Sequence, residues 1–184
     1  METLVLSVEL RGRTSAQQYS PRVRWGKWFP VCLRALRCRE LATCTEGMTI
    51  HEKQAALIAR YSIIEDAQER LAAIVARGRK WRGLAEEEKD DARRVRGCVS
   101  NVWLAGAMDG AACRFRMSAD SPLVQGLAAL ICELYDGGAA EEIVSVEPEL
   151  LESLGLARQL SPTRLNGLAN VRRTIREFAI TNRV

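Results

Sequence analysis

Between Ala112 and Ser118 the chain alternates strictly: Cys113, Phe115 and Met117 are apolar, while Arg114, Arg116 and Ser118 are polar. A period of two marks a strand with one buried face and one wet face. The apolar run Val99–Ala105 comes before it, and Asp109-Gly110 between the two is a hairpin signal, since glycine reaches positive φ without a Cβ penalty. A further strand near Arg93–Arg96 is weakly signalled. Helical spacing surrounds this hairpin on both sides. A helix pair, a small antiparallel sheet and a helical second half make an α+β fold, a sandwich of sheet and helices.

The helices carry their own punctuation. Thr49-Ile50-His51-Glu52 has capping-box spacing and predicts a helix to about Arg60. Ser62-Ile63-Ile64-Glu65 repeats that spacing and predicts a second helix, with Ile64, Ala67, Leu71, Ile74 and Val75 inward and Gly78 as its stop. The charged stretch Glu86–Arg96 reads as a short exposed helix or loop. After the hairpin, Ser121-Pro122 is an N-cap and first-turn pair, and Leu123–Tyr135 is apolar nearly all round, so that helix should be buried up to Gly137-Gly138. Short helices are expected over Ala139–Ser145 and Pro148–Leu154, the second closed by Gly155. Ser161-Pro162 opens the last helix, with Leu168, Val171, Ile175 and Phe178 as its stripe.

Charge divides the chain in two. The 184 residues carry a net charge of +4, and all of it lies in residues 1–47, since residues 48–184 hold equal numbers of acids and bases. Residues 1–47 also hold Cys32, Cys38 and Cys44, whose spacing matches no zinc pattern, and Trp25 and Trp28 among basic residues. This stretch reads as a disordered extension, or as sequence upstream of a natural start at Met48; a basic nucleic-acid arm is the alternative. Residues 48–184 form the domain. No apolar run approaches the roughly 20 residues that cross a bilayer, and no secretory signal opens the chain. The expected location is the cytoplasm.

Few chemistries fit the domain. No Gly-rich phosphate loop is present. His51 is the only histidine of the chain and falls in the first turn of a helix, which leaves no Cys-His or Ser-His-Asp pair. Cys113 alternates inward and Cys132 lies on an apolar helix, so both read as core. Cys98 differs: Gly97 permits a sharp turn before it, and Arg93, Arg94 and Arg96 lie within five residues. Such a setting predicts a lowered thiol pKa and a sulfur nucleophile, with a small buried strand-end residue as the alternative.

The segment Gly97-Cys98-Val99-Ser100-Asn101-Val102-Trp103 resembles the G-C-x-S-x-V-W motif of the SufE family of sulfur-acceptor proteins. Three further segments follow in that family's order: Ala119-Asp120-Ser121, Val124-Gln125-Gly126-Leu127, and Leu160-Ser161-Pro162-Thr163-Arg164-Leu165-Asn166-Gly167-Leu168. Together they span residues 48–184. Pro122 stands where an acid commonly follows the Asp-Ser pair, and Lys80–Leu84 replaces a Pro-rich segment, with Trp81 expected to take its packing role.

The resemblance implies an α+β fold like that of iron–sulfur scaffold proteins. It also implies that Cys98 accepts persulfide sulfur from a cysteine desulfurase, stimulates it, and relays the sulfur to a downstream scaffold or other acceptor for iron–sulfur cluster assembly. Gly97, Ser100, Asp120 and Ser121 are then expected at the partner surface. The cofactor, pyridoxal phosphate (PLP), belongs to the desulfurase and none to this chain. No metal, nucleic acid or membrane is expected, and the assembly should be a monomer or weak dimer. Arg164 precedes Leu168 by four residues, so its side chain is expected to point toward the body and stabilise a sulfur anion, or to pair with Asp120. An iron–sulfur scaffold of related fold is the alternative function, and a plain interaction module a third.

Overall fold

The computed structural model describes residues 47–183. The readings of the N-terminal extension, with Cys32, Cys38 and Cys44, lie outside the described residues. Helix α1, Ile50–Ser62, begins as its sequence predicts. The Thr49 hydroxyl accepts from the Glu52 amide at 3.2 Å, and the Glu52 carboxylate accepts from the Thr49 amide at 2.8 Å.

Helix α2, Ala67–Gly78, starts later than the Ser62 signature predicts. Ser62 is taken up as the last residue of α1. Asp66 caps α2 instead, its Oδ1 accepting from Gln68 at 2.9 Å and Glu69 at 2.8 Å. A carboxylate is the stronger partner for the positive end of the helix. Arg70 fixes the intervening turn by donating to the carbonyls of Tyr61 and Ile64. Gly78 is not a left-handed stop. It is buried inside the last turn, where a Cβ would lie 2.3 Å from the Cα of Gly126. The residue is small because two helix backbones touch there.

The hairpin forms around the Asp109-Gly110 turn, but its first strand begins at Val102 rather than Val99. Strands β1, Val102–Asp109, and β2, Ala112–Ala119, pair antiparallel from Val102↔Ala119 to Asp109↔Ala112. Helix α3, Pro122–Tyr135, follows, and β3, Gly138–Ala139, returns beside β2 as the third strand. The sheet order is β1-β2-β3. The weak strand signal at Arg93–Arg96 yields only one bridge, Arg94↔Trp103. Its ladder cannot continue, because Gly97 takes φ +79° and turns the chain out of extended geometry.

Short helices α4, Ala140–Ser145, and α5, Leu150–Ser153, lead to α6, Pro162–Thr181. Cys113, Phe115 and Met117 are fully buried, as are Cys132 on α3 and Val171 and Ile175 on α6. The rings of Phe115 and Phe178 meet edge to face with centroids 5.6 Å apart. Trp81 packs on the edge of this core. Helix α6 therefore lies against β1 and β2, and its N-terminal half projects beside the loop that precedes β1.

Candidate functional site

That loop runs over residues 96–101. Its base is closed by two backbone bonds, from the Val95 amide to the Val102 carbonyl at 2.8 Å and from the Leu104 amide to the Arg93 carbonyl at 2.9 Å. Val95 and Val102 are buried, so the base is anchored in the core while the tip is free to differ from it. At the tip Val99 is 82% exposed, and Cys98 beside it is half-buried.

Two neighbours hold the tip. On one flank, Asn101 and Asp120 make a reciprocal pair. The Asn101 Nδ2 donates to the Asp120 carboxylate at 2.6 Å, and the Asp120 amide donates to the Asn101 carbonyl at 3.1 Å. The Arg94 guanidinium donates to the other amide atom, Oδ1 of Asn101. On the other flank stands α6. The Cys98 thiol donates to the Gly167 carbonyl at 3.3 Å, and Asn170 Nδ2 donates to the Gly97 carbonyl at 3.1 Å. A Cβ on Gly167 would lie 3.4 Å from the Cys98 sulfur, an ordinary van der Waals contact, so the loop rests directly on this turn of the helix.

This geometry corrects the expected thiol ionisation. Burial pushes the Cys98 thiol up, and no cation opposes it. Arg93 bonds Asp90, Arg94 bonds Asn101 and, at 4.0 Å, Asp91, and Arg96 is exposed. A carbonyl acceptor also favours the protonated form, since a thiolate has no hydrogen to give. Burial likewise raises Cys113 and Cys132, consistent with their place in the core. The three described cysteines are all free thiols.

Arg164 does not point into the body. Ser161, Pro162, Thr163 and Arg164 are all exposed, so the first turn of α6 stands clear and the inward stripe begins with Leu165. Nor does Arg164 pair with Asp120, whose side chain is taken by Asn101. Ser121 occupies the N-cap position of α3 without a capping side-chain bond, and Ser100 is half-buried on the loop. Gly97, Cys98, Ser100, Asp120 and Ser121 are brought together around the loop and the turn next to it. Asn101, Gly167 and Asn170 also contribute, although sequence alone does not single them out. Asn101 and Gly167 lie inside the quoted motifs, whereas Asn170 carries no signal beyond its spacing from Gly167. Among the described residues no three His, Cys, Asp or Glu side chains form a group able to hold a metal ion.

A family model described as SufE, Fe-S metabolism associated domain, matches residues 55–179. The chain belongs to the SufE family. An uncharacterised SufE-like protein of Synechocystis is 30% identical over 132 residues, which is 72% of this chain and 83% of that protein. A second, from Rhizobium etli, is 31% identical over 128 residues, covering 67% of this chain and 86% of the relative. The solution structure of a hypothetical protein from Thermus thermophilus shares the fold, with a TM-score of 0.60 at 20% identity over 73% of this chain and 97% of the other. Membership places this SufE-family chain in iron–sulfur metabolism, with a sulfur-transfer role. No described helix is long and apolar enough to cross a membrane.

Proposed function

We propose that the protein takes sulfane sulfur from a PLP-dependent cysteine desulfurase onto Cys98, stimulates that enzyme, and relays the sulfur to iron–sulfur cluster assembly. The observation that carries this reading is the placement of Cys98. It is the half-buried thiol of the domain, on a loop with a buried base and an exposed tip, within the family's cysteine motif. The other two described thiols are sealed in the core.

In the transfer the Cys98 sulfur, once deprotonated, attacks the outer sulfur of the partner's cysteine persulfide. A new bond forms from the Cys98 Sγ to that sulfur, and the partner's S–S bond breaks. The electron pair leaves on the partner's cysteine sulfur, which takes up a proton equivalent to the one Cys98 released. No net oxidation occurs. The chain's own contribution is to keep the thiol neutral and sheltered at rest and to present it when the loop turns outward. PLP stays on the partner, and the acceptor needs no cofactor. Gly97, Ser100, Asp120 and Ser121 border the surface that the partner would meet, and exposed Arg164 lies on the same N-terminal end of α6. The cytoplasm, where thiols stay reduced, suits the three free cysteines among the described residues. A monomer or weak dimer presents the loop to both donor and acceptor.

The test mixes the full chain with a cysteine desulfurase and cysteine and maps added sulfur by mass spectrometry. A mass gain of one sulfur atom on the Cys98 peptide, lost in Cys98→Ser together with desulfurase stimulation, is expected. Sulfur absent from Cys98 would overturn the reading.

A further inference from the structure

Asn170 is a polar residue whose work the acceptor reading leaves unstated. It lies three positions beyond Gly167 on α6, the spacing that puts two residues on one helix face. From this rigid helix two groups reach consecutive residues of the loop. The Gly167 carbonyl accepts the hydrogen of the Cys98 thiol at 3.3 Å, and the Asn170 amide donates to the Gly97 carbonyl at 3.1 Å. The turn at Gly97, φ +79°, is what aims that carbonyl at α6. The fit is close: a Cβ on Gly97 would lie 2.6 Å from Asn170 Nδ2, so the amide fills the space that a side chain would need.

We propose that Asn170 is a positioning residue that, together with the Gly167 carbonyl, clasps the cysteine loop in its inward pose and sets how often Cys98 is presented to a partner. The two ties differ in kind. The sulfur tie needs an S–H bond, and sulfur transfer replaces that hydrogen with a second sulfur about 2.05 Å from Sγ. A loaded Cys98 therefore has no hydrogen on Sγ to give to Gly167, and Asn170 becomes the remaining tie from α6. Helix α6 holds the empty acceptor at two points and the loaded one at a single point, which favours onward delivery of the sulfur. This use of the clasp rests on the acceptor reading, but the clasp itself can be read without a desulfurase.

The experiment compares the full chain with Asn170→Ala and Asn170→Asp. Each is treated with iodoacetamide at one fixed pH, and labelling is assigned to individual cysteines by peptide mapping. Alanine is the better helix former, so the first variant keeps α6. Removing the amide should speed alkylation of Cys98 roughly five-fold, equivalent to about 1 kcal/mol for one neutral hydrogen bond. Aspartate has the shape of asparagine but presents oxygen to the Gly97 carbonyl. Asn170→Asp should therefore react at least as fast as Asn170→Ala, a result that a purely space-filling role would not give. Cys113 and Cys132 should stay unlabelled throughout. The proposal is overturned if both variants alkylate within about two-fold of the parent rate. It is overturned equally if Asn170→Asp protects Cys98 as well as asparagine does, or if Cys113 and Cys132 gain label together with Cys98. No desulfurase takes part, so failure here leaves the acceptor reading standing, and failure of sulfur transfer leaves the clasp standing.

Discussion

The Cys98 sulfur and the Gly167 carbonyl face each other at 3.3 Å, with no side chain on Gly167 to separate them. A contact in which sulfur is the donor exists only while the thiol keeps its proton. This site therefore disfavours the thiolate, and the transfer proposed above requires Cys98 to give up its bond to the helix.

The first consequence is a pH profile. Burial favours the neutral thiol, so its pKa lies above the ordinary thiol value and the thiolate fraction near neutrality is below that of a free cysteine. Alkylation of Cys98 in the isolated protein should climb with pH through 7, 8 and 9, roughly ten-fold per unit below the pKa. Rates of iodoacetamide labelling across that range check it. A plateau reached below pH 8 would mean that a cation, not burial, governs the sulfur.

Gly97→Ala should unlock the loop. Alanine at φ +79° is strained by about 1–2 kcal/mol, and its Cβ would meet Asn170 Nδ2 at 2.6 Å. The loop can relieve both by leaving α6, because its base is held independently by Val95 and Val102. Cys98 should then alkylate on the order of ten-fold faster, while thermal unfolding shifts by only a few degrees. A large fall in melting temperature without faster labelling would show that the glycine serves the fold rather than the loop.

The architecture rests on a different pair of glycines. A Cβ on Gly78 would lie 2.3 Å from the Gly126 Cα, and one on Gly126 would lie 2.6 Å from the Val75 Cα. Backbone atoms cannot step aside as a flexible side chain can, so either alanine variant must push α2 and α3 apart. The expected cost is about 2–3 kcal/mol, a fall in melting temperature on the order of 10 °C by scanning calorimetry. Unchanged stability would mean that the helix crossing is looser than these distances require.

Those glycines also show where sequence patterns carry information and where they do not. Alternation at Cys113, Phe115 and Met117 and the Asp109-Gly110 turn are enough to place the hairpin, because burial of one face is written in every second residue. Cys98 is legible beside Cys113 and Cys132 because those two fall on apolar periods, whereas it follows Gly97 among arginines. What surrounds it is not legible. Arginine charge near Cys98 in sequence says nothing of direction, and Arg93 and Arg94 turn to Asp90 and Asn101. The helical period puts Arg164 on the inward stripe, but the first turn of α6 extends past the body that the stripe packs on. Gly78 reads as a stop because glycine ends helices often. Its work is a contact with Gly126, 48 positions later, and single-sequence periodicity holds no record of such a pairing.

The Asn101–Asp120 pair supplies the last prediction. Asp120 sits on the turn between β2 and α3, where it could touch a partner, but its carboxylate is engaged by the Asn101 amide at 2.6 Å and its own amide donates to the Asn101 carbonyl at 3.1 Å. Asp120→Ala loses only the side-chain half of this reciprocal tie, whereas Asn101→Ala loses that half together with the Arg94 bond to Asn101 Oδ1. The pair is solvent-accessible, so each single variant should loosen the loop by about 1 kcal/mol or less and speed Cys98 alkylation a few-fold. If the loop is the whole role of Asp120, the double variant should label no faster than Asn101→Ala, because that substitution already removes the bond to Asp120. The same three variants in a desulfurase sulfur-transfer assay then separate the two roles of this residue. A double variant that transfers sulfur as fast as Asn101→Ala assigns Asp120 to the loop alone. A further loss specific to the variants lacking Asp120, with alkylation unchanged between them, assigns its carboxylate to the partner surface as well.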